Sequence, residues 1–112
     1  MSSFITIKER GTDLSLGNPT FKLLISELER MENNAEAATI VTENPIAECI
    51  GGLVLNEPSE GKLVTLLEVA KILQKKLKSD PKTDSGFDRV SDLKNFEAKL
   101  KDEVKAMQES TH

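Results

Sequence analysis

The stretch that decides the fold is Gly86 to Glu109, GFDRVSDLKNFEAKLKDEVKAMQE. Its apolar residues Phe87, Val90, Leu93, Phe96, Leu100, Val104 and Met107 are spaced 3, 3, 3, 4, 4 and 3 apart, with mostly charged or polar residues between them. Such spacing puts one narrow apolar stripe on an otherwise charged helix, the pattern of a helix that docks along one side on another. Glu97 and Lys101 add an i,i+4 pair in the favourable order, whereas Lys99–Glu103 and Lys105–Glu109 run the other way. Ser85 followed by Asp88 predicts a capping-box start. The stripe has two uses: folding back as an antiparallel hairpin on the preceding helix, or meeting a second chain. It is too short for a free-standing coiled coil, so contact with a partner would need support from the rest of the domain. These seven residues are the candidate partner interface.

The preceding helix is predicted over Lys62 to Lys78. Leu63, Leu66, Ala70, Leu73 and Leu77 follow a 3, 4, 3, 4 spacing, and Val64, Leu67, Val69 and Ile72 widen the face. A helix apolar around most of its circumference belongs in the middle of a core. A rival pairing makes Leu53–Asn56 and Lys62–Leu66 a hairpin around the turn-forming Asn56–Gly61; helical spacing continued to Leu77 favours the helix. Ser79 to Asp84, with Asp80-Pro81, is predicted to be a break between the two helices.

Towards the N-terminus, Phe4-Ile5-Thr6-Ile7 has strand propensity and Gly11 ends the run. Asp13 to Gly17 is read as turn-rich. Asn18-Pro19 is a helix start, with Asn as cap and Pro where its missing N–H costs nothing. That helix is expected to reach Met31 or Glu32 on a face of Phe21, Leu24, Leu28 and Met31, with Asn33-Asn34 as its stop. The β-branched Thr39-Ile40-Val41-Thr42 predicts a strand over Ala37–Thr42. Asn44-Pro45 predicts a short helical turn to Ile50, closed by Gly51-Gly52, before the strand-like Leu53-Val54-Leu55. The expected architecture is a small, helix-dominated α+β domain. It has two or three short strands beside three helices, the last long and amphipathic. Residues 1–84 form the compact part, and residues 85–112 are a C-terminal helix of the same domain with a frayed end.

At 112 residues the chain is one domain with a modest core, and with four Phe, no Trp and no Tyr that core is aliphatic. Platforms for stacking bases are nearly absent. The net charge of −4 argues against a nucleic-acid or acidic-membrane partner. Residues 1–58 carry nine acids and four bases, and residues 59–112 ten acids and eleven bases, so the N-terminal half holds the acidity. One cysteine, Cys49, permits no intrachain disulfide, no signal-like stretch opens the chain, and no run is long enough to span a bilayer. A reducing, cytoplasmic setting is the expectation.

Catalytic motifs fail on their parts. Gly61-Lys62 lacks the first glycine and the Ser/Thr of a phosphate loop. The only His is His112 and the only Cys stands alone, so no zinc site forms within the chain. Asp80, Asp84 and Asp88 do not follow the calcium-loop pattern. Cys49 has no base to activate it and is expected to be a small buried residue. Glu27, Glu29, Glu32 and Glu36 offer an acidic face, for which a solvated helix surface is the ordinary explanation. Lys71, Lys75, Lys76 and Lys78 form a basic cluster that stabilises a helix C-terminus through the macrodipole.

The sequence therefore points to a non-catalytic interaction or oligomerisation module, a homodimer above all, with no cofactor, metal or catalytic residue. A nucleic-acid accessory protein using Lys71–Lys78 and Lys94–Lys105, and a small assembly or secretion-type chaperone, are the alternatives.

Overall fold

In the computed structural model, which describes residues 2–8, 10–31, 33–57, 59–77 and 88–110, the apolar N-terminal run becomes strand β1 (Ser2–Ile7). It turns back through Gly11, at φ 63°, into β2 (Thr12–Gly17). β1 and β2 pair antiparallel, with Ile5 opposite Leu14 and Ile7 opposite Thr12. Asp13 to Gly17 is thus a strand and not a turn. Its polar residues sit on the pleat's outer face, where Asp13 and Ser15 are exposed while Leu14 and Leu16 point inwards. Alternation, not residue propensity, decided the segment.

The chain next runs through α1 (Asn18–Arg30), α2 (Ala35–Glu43) and the single turn α3 (Ala47–Ile50). It returns in β3 (Gly52–Leu55), which pairs parallel with β1 to give the sheet order β2-β1-β3. Pro19 occupies the first turn of α1 as expected, but Gly17 is the cap. The Asn18 carboxamide oxygen instead accepts a 2.5 Å hydrogen bond from the Ser3 hydroxyl, fixing the helix start to β1.

Ala37–Thr42 is helical, contrary to the strand expectation. Asn34 starts α2 by accepting the Ala37 N–H at 3.0 Å, and the Thr39 hydroxyl bonds back to the Ala35 carbonyl at 2.8 Å. Ala37 and Ile40, three apart, form its buried face. Here capping and packing overrode β-branched propensity. Gly51, at φ 65°, closes α3 as the sequence indicated.

The helix over α4 (Glu60–Lys76) is continuous, which excludes the hairpin alternative. Leu63, Leu66, Ala70 and Leu73 are buried at the expected spacing, and Val69, Thr65 and Lys62 extend that face. The last helix, α5 (Arg89–Ser110), begins where the Asp88 carboxylate accepts the Ser91 N–H at 3.0 Å. The break expected at Ser79–Asp84 and the cap at Ser85 lie outside the described residues, as do Phe87 and Lys78.

The result is an α+β domain with a three-stranded mixed sheet, four helices and a one-turn helix among the described residues. One sheet face, Ile5, Ile7, Leu14, Leu16, Leu53 and Leu55, lies against the helices in a single core. The other face, with Phe4 and Val54, is open. α5 packs on α4 and β2. Polar ties pin it at three levels: Gly17 N–H to Asp92 at 2.9 Å, Gln74 to Glu97 at 2.7 Å, and an Arg10–Glu103 ion pair. Glu97 also takes Lys101 at 2.8 Å, the pair the sequence order favoured. Glu103 goes to Arg10 and so is not the Lys99 partner that i,i+4 spacing offered.

Candidate interaction site

The stripe is consumed inside the chain. Leu93 and Leu100 are fully buried, Phe96 is 1% exposed, Met107 is buried, and Val90 and Val104 are half-buried. Phe87 lies outside the described residues. The folding-back use of the helix is the one the structure adopts, and Leu93, Phe96 and Leu100 present no surface to a partner.

Outward apolar surface collects elsewhere. Phe4 (50% exposed), Ile46 (58%), Ile50 (68%) and Val54 (39%) are four of the five large exposed hydrophobics among the described residues. Sheet pairing places Phe4 and Val54 on one face. Phe4 sits opposite Gly52, Val54 lies two residues further on the same face, and the Phe4 N–H donates to the Gly51 carbonyl at 3.2 Å. Ile50 immediately precedes that glycine.

Round the β3 edge lies a groove between α1 and the α2–α3 segment. A hollow of about 150 Å³ is floored by Ile25, Val41, Ala47 and Leu53 and rimmed by Pro45, Ile46 and Cys49. An open trough of about 410 Å³ adjoins it over Leu28, Met31, Ala38 and Thr42. Glu29 and Val41 line both, and among the described residues Glu29 is the only charged one in either lining. Cys49 is exposed, not buried as expected, because it sits on the outer side of the single turn α3. Of the acidic face suggested by the sequence, Glu27 turns inwards to Lys76 at 2.9 Å, while Glu29 is left at the groove.

The edge of β3 is closed by one side chain. The Asn44 carboxamide accepts the Val54 N–H at 2.8 Å and donates to the Val54 carbonyl at 2.9 Å, as a neighbouring strand would. It also donates to the Ile40 carbonyl at 2.9 Å near the end of α2. The sequence marked Asn44 as a helix start; it is the end of one helix and the stopper of a sheet edge.

Gly61-Lys62 serves the core. Lys62 is 3% exposed, and its ammonium donates to Glu43 at 3.0 Å and to the Asn56 carbonyl at 2.9 Å. The Lys62 hydrogen bond holds the Glu43 carboxyl below its ordinary pKa. Lys101, with Gln74, does the same for Glu97. Because both pKa values are lowered on folding, their contribution is fully present above the ordinary carboxylate pKa of about 4.3 and is lost as pH falls through the folded values. Urea midpoints are therefore expected to fall on acidification below about pH 4.3. Glu43→Gln is expected to lower the midpoint at neutral pH by leaving a buried ammonium without its counter-charge. Lys62→Met in the same chain is expected to restore much of the loss.

The fold also brings the two lysine groups together: Lys75 and Lys94 line one shallow hollow with Gln74 and Val90, and Lys71 acts electrostatically on Glu97. Among the described residues no group of three His, Cys, Asp or Glu side chains could hold a metal ion, and no helix is long and apolar enough to cross a membrane. No protein-family model, curated protein or solved structure matches this chain. The run from Met31 to Gly61, which supplies most of the groove's lining, holds six acids and no Lys or Arg.

Proposed function

We propose that the chain is a non-catalytic protein–protein interaction module whose contact surface is the β1–β3 outer face with α3 and the adjoining α1–α2 groove. One observation carries this: Phe4, Ile46, Ile50 and Val54 expose large apolar side chains on or beside β1, α3 and β3, whereas the other large hydrophobics among the described residues, Val64 apart, are buried or half-buried. Contiguous apolar surface of this kind marks contact sites. A second copy of the chain is one partner of this class, meeting the same face across a two-fold axis. A cytoplasmic setting fits an exposed, unpaired thiol at Cys49.

The test combines light scattering over a range of concentrations with affinity capture from the native host, comparing wild type with a Phe4→Ser, Ile46→Ser, Ile50→Ser variant. These positions are exposed, so the variant is expected to keep its urea midpoint while losing self-association or the captured protein. Capture unchanged by all three substitutions would refute the surface. Thermal shifts with magnesium, manganese, calcium and nucleotides are expected to be flat; a rise of several degrees, abolished by changing one acid cluster, would favour an enzyme.

The shared face of Lys71, Lys75, Lys94 and Lys101 favours a second reading, a nucleic-acid accessory protein. Binding of a labelled oligonucleotide that weakens steeply with salt, and is lost on Lys75→Glu with Lys94→Glu, would support it.

A further inference from the structure

Resting on the interaction-module reading, we propose that the groove between α1 and α2 receives a short amphipathic helix of a partner protein, which sets a Lys or Arg against Glu29 between two apolar anchors.

The geometry of the groove specifies the anchors. The smaller hollow touches α2 and its end at Val41 and Asn44, the larger at Ala38, Val41 and Thr42. The two are offset by two to three residues, somewhat under one turn or roughly 3–5 Å along the helix. Residues i and i+3 or i+4 of an incoming helix have that separation and point the same way. The smaller hollow falls below the roughly 300–1,000 Å³ of small-molecule sites, and the larger is open to solvent, so side-chain anchors suit them better than a free ligand. An extended peptide cannot pair at Val54, because Asn44 occupies both polar groups of that residue on the edge of β3.

Charge specifies the centre. Glu29 lines both hollows, and no ion pair to it is found among the described residues. Arg30 reaches Glu27 instead, at 3.9 Å. Lys22, the other exposed cation of α1, lies seven residues back, roughly 10 Å along the helix. Lys62, the first base after Arg30, is buried on Glu43. A basic residue docked here gains an attraction that no ion pair among the described residues supplies, and an acidic one is repelled.

Cys49, on the rim of the smaller hollow, is the reporter, being the only cysteine and exposed. Peptides are selected from a displayed random library against the full chain, with counter-selection against Glu29→Lys. Their consensus is expected to hold Lys or Arg between Leu, Ile, Met or Phe residues at helical spacing. The selected peptides are expected to slow modification of Cys49 by a thiol reagent several-fold. Exchange of their central base for Glu is expected to weaken binding to wild type about tenfold and to strengthen binding to Glu29→Lys. An acidic or uncharged consensus would overturn the proposal, as would selected peptides that leave Cys49 as reactive as in the free protein. Protection of Cys49 that rises with protein concentration in the absence of peptide would assign the groove to a second copy and overturn it too. Failure here, with capture still lost in the Phe4, Ile46, Ile50 variant, removes the helix-in-groove partner and leaves the module reading standing.

Discussion

Leu100→Asp is expected to unfold the chain, not to release a folded monomer. Leu100 is fully buried in the core that α5 completes against α4 and β2. Burying a carboxylate in that apolar core, together with the lost packing, consumes much of a small domain's stability margin of about 5–15 kcal/mol. Far-ultraviolet circular dichroism and urea titration decide the outcome. The milder Leu100→Ala is expected to cost about 2–5 kcal/mol, the same range as Leu66→Ala, because both side chains have zero exposure. Sequence alone ranks Leu100 below Leu66, since its stripe is narrow and flanked by charge. The structure removes that ranking: a narrow stripe suffices to bury Leu100 once Leu93, Phe96 and Met107 close over the same neighbours. A folded Leu100→Asp monomer, replacing a wild-type dimer, would mean that the stripe faces a second chain.

Asn44→Ala is the second substitution with a large expected effect. It deletes three hydrogen bonds, to the Ile40 carbonyl and to both polar groups of Val54. At roughly 0.5–1.5 kcal/mol each, the loss is about 1.5–4.5 kcal/mol. It also opens the edge of β3 beside the exposed Ile50 and Val54. An uncovered apolar edge is a template for pairing with another chain, so light scattering is expected to show aggregation at concentrations where wild type is clear. Asn44→Asp is not expected to rescue, because aspartate accepts the Val54 N–H but turns its charge on two carbonyl oxygens. An unchanged urea midpoint for Asn44→Ala would show that the edge closure contributes nothing.

Legibility in the sequence followed the length of the periodic signal. α4 and α5 carry five or more apolar positions at helical spacing, and both were predicted close to their observed bounds. β1, β3 and the glycine-closed turn at α3 were also readable, from propensity and punctuation. α2 was missed because nine residues carry only Ala37 and Ile40 as a buried face, too few to outweigh Thr39-Ile40-Val41-Thr42. β2 was missed because Asp13, Ser15 and Gly17 hid the inward pair Leu14 and Leu16. Each error was local, and each was settled by something non-local: the Asn34 cap with the α1–α4 surface in one case, the β1 ladder in the other.

The candidate site was less legible. The stripe reads as a surface that packs on something, but periodicity does not say on what; in the structure α5 packs on α4, the preceding helix with a broad apolar face. The groove is assembled from α1, α2 and α3, so no single segment displays it, and Glu29, the one charged residue of its lining among the described residues, looks like any other on an acidic helix. Exposure of Ile46, Ile50 and Cys49 follows from their place around a single turn with nothing packed outside it.

The central claim is that α5 is part of the core of one chain and that contact surface lies on the opposite side, around α3 and β3. Hydrogen exchange of the amides from Leu93 to Leu100, followed at high and low protein concentration, tests it most directly. The account predicts exchange only through global opening, with a free energy equal to that from urea unfolding and the same at both concentrations. Exchange that quickens on dilution, or that occurs well below the global unfolding free energy, would contradict it.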